Sequence, residues 1–269
     1  MTEAHGLRGK WALVTGAGRR VGAAIARTLH GEGASVAIHY RNSAVDAEAL
    51  ARELNALRPH SALAVQADLL DTTALGSLVD KLIAHAGRLD ILVNNASSFY
   101  PTPLPAVTEQ QWTDLLGTNL KAPLFLAQAA LPHLKASRGV IINIVDIHAI
   151  RPLADYGLYG AAKAGLAFLT RALARDLAPD VRVNGVAPGA ILWPEGGVSD
   201  QMRDSVLRQI PLKRLGDPTD IATCVLYLVR DAPYVTGQII AVDGGRSVGW
   251  FVALSRHHIN DIALDKLVV

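Results

Sequence analysis

Tyr159 and Lys163 stand four residues apart in a stretch with helical periodicity, so they share one helix face. An ammonium beside a phenol favours the phenolate and lowers the phenol pKa. Tyr159 is thereby expected to serve as a proton donor near neutral pH. Tyr-x-x-x-Lys alone is a common surface pair, and it gains meaning from a second cluster upstream. An apolar run ending at Val14 leads into Thr15-Gly16-Ala17-Gly18-Arg19-Arg20-Val21-Gly22, and a helical pattern follows. A strand, a glycine turn and a helix N-terminus make an anion site, because backbone N–H groups point outward and the helix dipole favours phosphate. The spacing departs from G-x-G-x-x-G, with Gly16, Arg20, Val21 and Gly22 as the expected contacts.

The end of the second strand bears on which nucleotide is bound. Enzymes for NAD place an acid there to bond the ribose 2′-hydroxyl. This chain has His39-Tyr40-Arg41-Asn42-Ser43 and no carboxylate. A guanidinium and a hydroxyl suit a 2′-phosphate, which a carboxylate would repel. The cofactor expected is NADPH, with His39 to Ser43 lining its adenosine end. Asp68, with Leu69 beside it after the third strand, is expected to face the adenine amino group.

The elements that must hold these groups alternate. Strand patterns fall at Trp11–Val14, Ala34–Tyr40, Ala62–Gln66, Ile91–Val93, Val140–Val145, Val181–Val186 and Gly237–Val242. Helical patterns fall at Arg20–His30, Ala44–Leu57, Thr73–His85, Glu109–Lys135, Tyr156–Leu177 and Pro218–Val229. The long one at 109–135 is expected to break near Pro123 or Pro132. Such alternation predicts one α/β domain, a Rossmann-like doubly wound parallel sheet of about seven strands with helices on both faces. Residues 1–248 form that domain. Gly189 to Leu215, with Trp193-Pro194 and Gly196-Gly197, reads as a long loop and a candidate lid. Residues 249–269, with Trp250-Phe251 and His257-His258, read as a C-terminal extension without an assigned role.

The bulk numbers exclude several classes. A net charge of +2 with no Lys/Arg-rich run gives no nucleic-acid signature. A single cysteine, Cys224, permits neither an internal disulfide nor a Cys-based zinc site, and no metal is expected. It is read as a core residue. No stretch of about 18 apolar residues suggests a membrane span, and Met1 to Lys10 lacks the apolar core of a signal peptide. Cytoplasm is the default expectation.

From Lys10 to Val248 the chain resembles the short-chain dehydrogenase/reductase family. The resemblance rests on the glycine turn, Asn94-Asn95-Ala96, Thr118-Asn119-Leu120, Tyr159 with Lys163, Asn184 to Gly189, and Val242-Asp243-Gly244-Gly245. It implies that Asn119 holds a proton-relay water, and that Asn95, Ala96, Pro188 and Gly189 flank the cofactor. Two positions depart from the family pattern. Arg20 replaces the middle glycine of the turn. Asp146 stands thirteen residues before Tyr159, where the family's serine donates to a substrate carbonyl. An ionised Asp cannot donate, so it suits an N–H-bearing heterocycle better than a ketone.

These departures, with His39-Tyr40 and the run Ser97-Ser98-Phe99-Tyr100-Pro101-Thr102-Pro103-Leu104, resemble the pteridine reductase subfamily. What this implies is a pterin between the nicotinamide and Phe99. Arg20 and Ser97 would touch cofactor phosphate and pterin, and Asp146 and Tyr159 would bond the pterin's nitrogens. The implied activity is NADPH-dependent reduction of a dihydropterin, with oxidised pterin and dihydrofolate as further candidates, in a homotetramer. A carbonyl or 3-oxoacyl reductase and a non-catalytic NADP(H)-binding sensor are the alternatives.

Overall fold

The structure, a computed structural model, describes residues 6–193, 197 and 199–248. Pro194, Gly196 and the expected extension at 249–269 lie outside the described residues.

Seven strands form one parallel sheet in the order β3-β2-β1-β4-β5-β6-β7. They are β1 (Trp11–Val14), β2 (Ser35–Tyr40), β3 (Ala62–Gln66), β4 (Ile91–Asn94), β5 (Val140–Ile144), β6 (Arg182–Pro188) and β7 (Ile239–Val242). Central strands are buried on both sides, which is why they read as unbroken apolar runs. Alternation along each strand then divides the core in two. Ala12, Val14, Val36, Ile38, Ile91, Val93 and Ile142 pack on one face, against α1 (Arg20–Gly31), α2 (Ala44–Leu57) and α8 (Pro218–Leu226). Trp11, Leu13, Ala37, Leu92, Ile141 and Val183 pack on the other. There they meet α3 (Leu75–Ala86), α5 (Ala122–Ser137) and α6 (Gly157–Leu177). Cys224 is partly buried and packs against the first of these cores.

Chain order reverses between β1 and β4. Both neighbouring crossovers leave that point in opposite directions, and a crevice opens at the carboxyl ends of the strands. The residues singled out for chemistry all follow those ends.

Two sequence expectations change. The helical stretch at 109–135 is interrupted at Gly117–Lys121, a wider π-type turn between α4 (Glu109–Leu116) and α5. Pro123 then sits in the first turn of α5, directly after that wider turn. Pro132 lies inside α5 without ending it. The expected loop at 189–215 contains a nine-residue helix, α7 (Asp200–Arg208). Its short polar sequence gave little periodic signal.

Candidate active site

The crevice holds a cavity of about 850 Å³ that runs from Arg41 and Asp68 at one end to Gln209 and Arg246 at the other. Its floor is the glycine turn. A side chain at Gly22 would bring Cβ to 2.4 Å from the Gly16 carbonyl and 2.6 Å from Asn95 Nδ2, so only glycine fits. Gly16 has φ +60, and a Cβ there would lie 2.9 Å from Ala96 Cα. Arg20, in the place of the family's middle glycine, also has positive φ, at 53. A side-chain-bearing residue in that region costs about 1 kcal/mol.

Helix α1 begins at this turn with no side-chain cap and no acid in its first turn. By contrast, α4 and α8 are closed by the reciprocal bonds of Thr108 with Gln111 and Asp217 with Asp220. The open α1 terminus keeps its first amides available for an anion. Around it the cavity is lined by Arg19, Arg20, Tyr40, Arg41 and Ser43. Arg19 was not among the expected residues, although it stands in the turn beside Arg20; it also pairs with Asp46 at 3.5 Å. Asn42, in the bend between β2 and α2, is exposed and does not line the cavity.

His39 borders the cavity, and its ring is also engaged by the protein. It is buried, its Nδ1 accepts from the Gly16 N–H at 3.1 Å, and its Nε2 faces the Ala67 carbonyl at 3.1 Å. That pair of bonds requires the neutral ring with its proton on Nε2. Burial pushes the ring pKa down to about 4. Although it borders the cavity, both ring nitrogens are taken by protein. His39 holds the glycine turn against β2 and β3 (its backbone carbonyl also accepts from Ala17 N).

At the other end, Tyr159 on α6 donates its hydroxyl hydrogen to Asp146 Oδ2 at 2.7 Å. Asp146 follows β5, and its Oδ1 accepts from His148 N at 2.8 Å, capping the short turn Ile147–Ala149. Lys163, one helical turn after Tyr159, is fully buried. Its Nζ donates to the Ile144 carbonyl at 2.9 Å and lies 5.7 Å from the Tyr159 ring centre. Desolvation lowers its pKa to about 8, against the opposing pull of Asp146. The tyrosine departs from expectation: burial first, and the Asp146 charge second, push its phenol above the ordinary value. Burial and the neighbouring carboxylate together favour the protonated phenol.

Phe99 lies beside this pair. Its ring stacks on Tyr156 at 4.5 Å and meets Tyr159 edge-on at 4.8 Å, yet it remains 52% exposed toward the cavity. Its loop is braced on both sides. Ser97 Oγ donates to Asn119 Oδ1 at 2.6 Å, and Asn119 Nδ2 donates to the Ser98 and Leu115 carbonyls. Ser98 and Tyr100 both donate to Asp114. Asn119 is therefore buried inside protein bonds at the π-type turn and is not among the residues that line the cavity.

Most of the expected site residues border one cavity: Gly16, Arg20, Val21, Gly22, His39, Tyr40, Arg41, Ser43, Asp68, Leu69, Asn95, Ala96, Ser97, Phe99, Asp146, Tyr159, Lys163, Pro188 and Gly189. Sequence reasoning missed His148, Leu153, Leu192, Ser205, Val206, Gln209 and Arg246, which close its far end. They come from distant segments with no shared motif.

A doubly wound parallel sheet with a glycine turn after β1 and a Tyr–Lys pair bordering the same crevice is the frame of an oxidoreductase family, and comparison with known proteins agrees. Residues 16–247 match the family model described as enoyl-(acyl carrier protein) reductase. Pteridine reductase 1 of Leishmania tarentolae is 38% identical, over 88% of this chain and 96% of its own length. The 3-oxoacyl-(acyl-carrier-protein) reductase FabG of Staphylococcus aureus is 40% identical, over 88% of this chain and 97% of its own length. The chain belongs to the short-chain dehydrogenase/reductase family and is an oxidoreductase of that family. Among the described residues no helix is long and apolar enough to cross a membrane.

Proposed function

We propose that this chain is an NADPH-dependent pteridine reductase that converts a dihydropterin to its tetrahydro form. The observation that carries this reading is Asp146, held 2.7 Å from the Tyr159 hydroxyl and beside the half-exposed Phe99 ring. A carboxylate accepts hydrogen bonds from the N–H-bearing edge of a pterin, and a flat bicycle suits an aromatic face. A ketone would find no donor at Asp146.

The residues fit the cofactor. The glycine turn lets the backbone approach a pyrophosphate closely, and the open α1 terminus favours its charge. Arg19, Arg41 and Ser43 suit a 2′-phosphate, and Asp68 suits the adenine amino group. When bound, NADPH supplies the hydride. Phe99 holds the pterin plane, and Asp146 fixes its orientation through ring N–H groups. Tyr159 delivers a proton to the nitrogen of the C=N bond whose carbon receives the hydride, so the product gains one C–H and one N–H. Lys163 stabilises the phenolate left behind, and Asn119 acts by bracing the Ser97–Phe99 loop. Oxidised pterin and dihydrofolate are further substrates of the same chemistry. A homotetramer fits the exposed Trp112, Phe125 and Phe168 on α4, α5 and α6, and the cytoplasm is the proposed location.

The test is NADPH oxidation by the purified chain with a dihydropterin, beside NADH and a panel of ketones and oxoacyl thioesters. Rapid turnover of the pterin with NADPH supports the reading. A second reading, a 3-oxoacyl reductase, is favoured by the identity to FabG. Turnover of thioesters but not pterins would establish it instead.

A further inference from the structure

At the far end of the cavity a guanidinium has no ion-pair partner among the described residues. Arg246 lines the same space as Asp146 and Tyr159. Its Nε and Nη2 donate to a neutral acceptor, Gln209 Oε1, at 3.3 and 3.0 Å. Its own carbonyl accepts from Arg151 Nη1 at 2.6 Å. The turn that carries it is folded around Asp243, which accepts from Gly245 N and Ser247 N. The position is therefore built from both sides. Yet no carboxylate among the described residues lies within ion-pair distance of the guanidinium, and burial lowers its pKa. Asp146 and Asp243 act on it only through space.

A half-buried cation without an ion pair is costly unless a ligand completes it. The groups left over here are donors. Arg246 Nη1 has no protein partner among the described residues. Gln209 uses its oxygen on Arg246, and its NH2 group has no acceptor among the described residues. Ser205 adds a hydroxyl to the same wall. A cluster of donors carrying one positive charge matches a carboxylate. Asp146, of opposite charge, shares the cavity without pairing with Arg246, so the two ends select opposite chemistry in one molecule: N–H groups at Asp146 and an anionic oxygen at Arg246.

We propose that Arg246 is a specificity-determining residue whose guanidinium, with Gln209, binds a carboxylate on the substituent of the substrate. The inference rests on the pterin reading above. Arg246 touches the tail of the substrate and takes no part in hydride or proton transfer.

The experiment compares two dihydropterins with the full chain and NADPH, one with a carboxylate-bearing aminobenzoylglutamate tail and one with a neutral dihydroxypropyl tail. Arg246→Gln is expected to raise KM for the acidic substrate roughly tenfold or more. For the neutral substrate both kcat and KM should stay within about twofold, because that tail makes no ion pair. Arg246→Lys keeps the charge and should restore most of the acidic substrate's KM. Equal KM increases for both substrates, or no change for either, overturn the proposal; the first would make Arg246 only a brace for the segment carrying Gln209. A variant-free arm covers loss of folding. The acidic compound and its neutral amide are compared as inhibitors of the neutral substrate's turnover, and equal inhibition overturns the proposal. If the wild-type chain turns over neither dihydropterin, the pterin reading itself fails and this proposal falls with it.

Discussion

Replacing Asp146 by Ser separates the chemistry of this site from its architecture. The exchange removes a carboxylate that accepts from Tyr159 at 2.7 Å and, in the proposed reaction, from the pterin edge. Ser also caps short helical turns well, so the bond from His148 N that Asp146 now accepts has a replacement and the fold should hold. A hydrogen bond to a charged group contributes about 1.5–3 kcal/mol. Losing one such bond from the transition state lowers kcat/KM for a dihydropterin by roughly 10- to 150-fold. The Asp146 charge also holds the Tyr159 pKa up, so its removal should move the basic limb of the pH–rate profile toward lower pH. NADPH affinity should change by less than about twofold, since in the proposed complex Asp146 lies at the substrate end and the phosphates at Arg20 and Arg41. The assay is initial-rate kinetics with NADPH and dihydropterin, with cofactor binding followed separately by fluorescence. A gain of ketone turnover is expected in the same variant, because the hydroxyl can donate to a carbonyl. Unchanged pterin turnover would refute the role given to Asp146. Equal losses of pterin turnover and NADPH binding would mean the change was structural.

Arg41→Ala should raise KM for NADPH roughly tenfold while leaving NADH kinetics within about twofold, because only the former carries a 2′-phosphate; parallel changes would place Arg41 outside the cofactor site. Arg20→Gly should relieve about 1 kcal/mol of left-handed backbone cost, seen as a higher urea midpoint, while weakening NADPH binding; a lower midpoint would mean the guanidinium contributes more to the fold than its φ costs. His39, with its folded pKa lowered from 6.5 to about 4, favours the neutral ring in the native state. The unfolded chain therefore takes up more protons between those values, and stability present above pH 6.5 is lost as pH falls toward 4. Between pH 7 and 5 the loss from this group is about 2 kcal/mol. Urea unfolding of wild type and His39→Gln at both pH values should show that slope reduced in the variant, and an equal slope would assign the acid sensitivity elsewhere.

The sequence by itself carried the sheet. Seven apolar runs with turn signals between them specify buried parallel strands, because burial on both faces leaves no room for polar residues and alternation with helices leaves few connections. It also marked groups that are neighbours in the chain and border the one cavity: the glycine turn, Arg41 and Ser43, and the Tyr159–Lys163 pair on one helix face. The tertiary structure decided everything that depends on partners far apart in the chain. His39 reads as a cofactor residue because it stands at the end of a strand, and its ring bonds to Gly16 and Ala67, 23 and 28 residues away, also make it a brace. Asn119 reads as a relay residue, yet the π-type turn buries its amide against Ser97 and Ser98. The pairing of Tyr159 with Lys163 is local, but the rise in the Tyr159 pKa comes from burial and from Asp146 on a different segment. Arg246 and Gln209 meet 37 residues apart with no motif between them. Spacing along a chain records which groups a helix or turn brings together, whereas desolvation and charge depend on what the rest of the fold places around them.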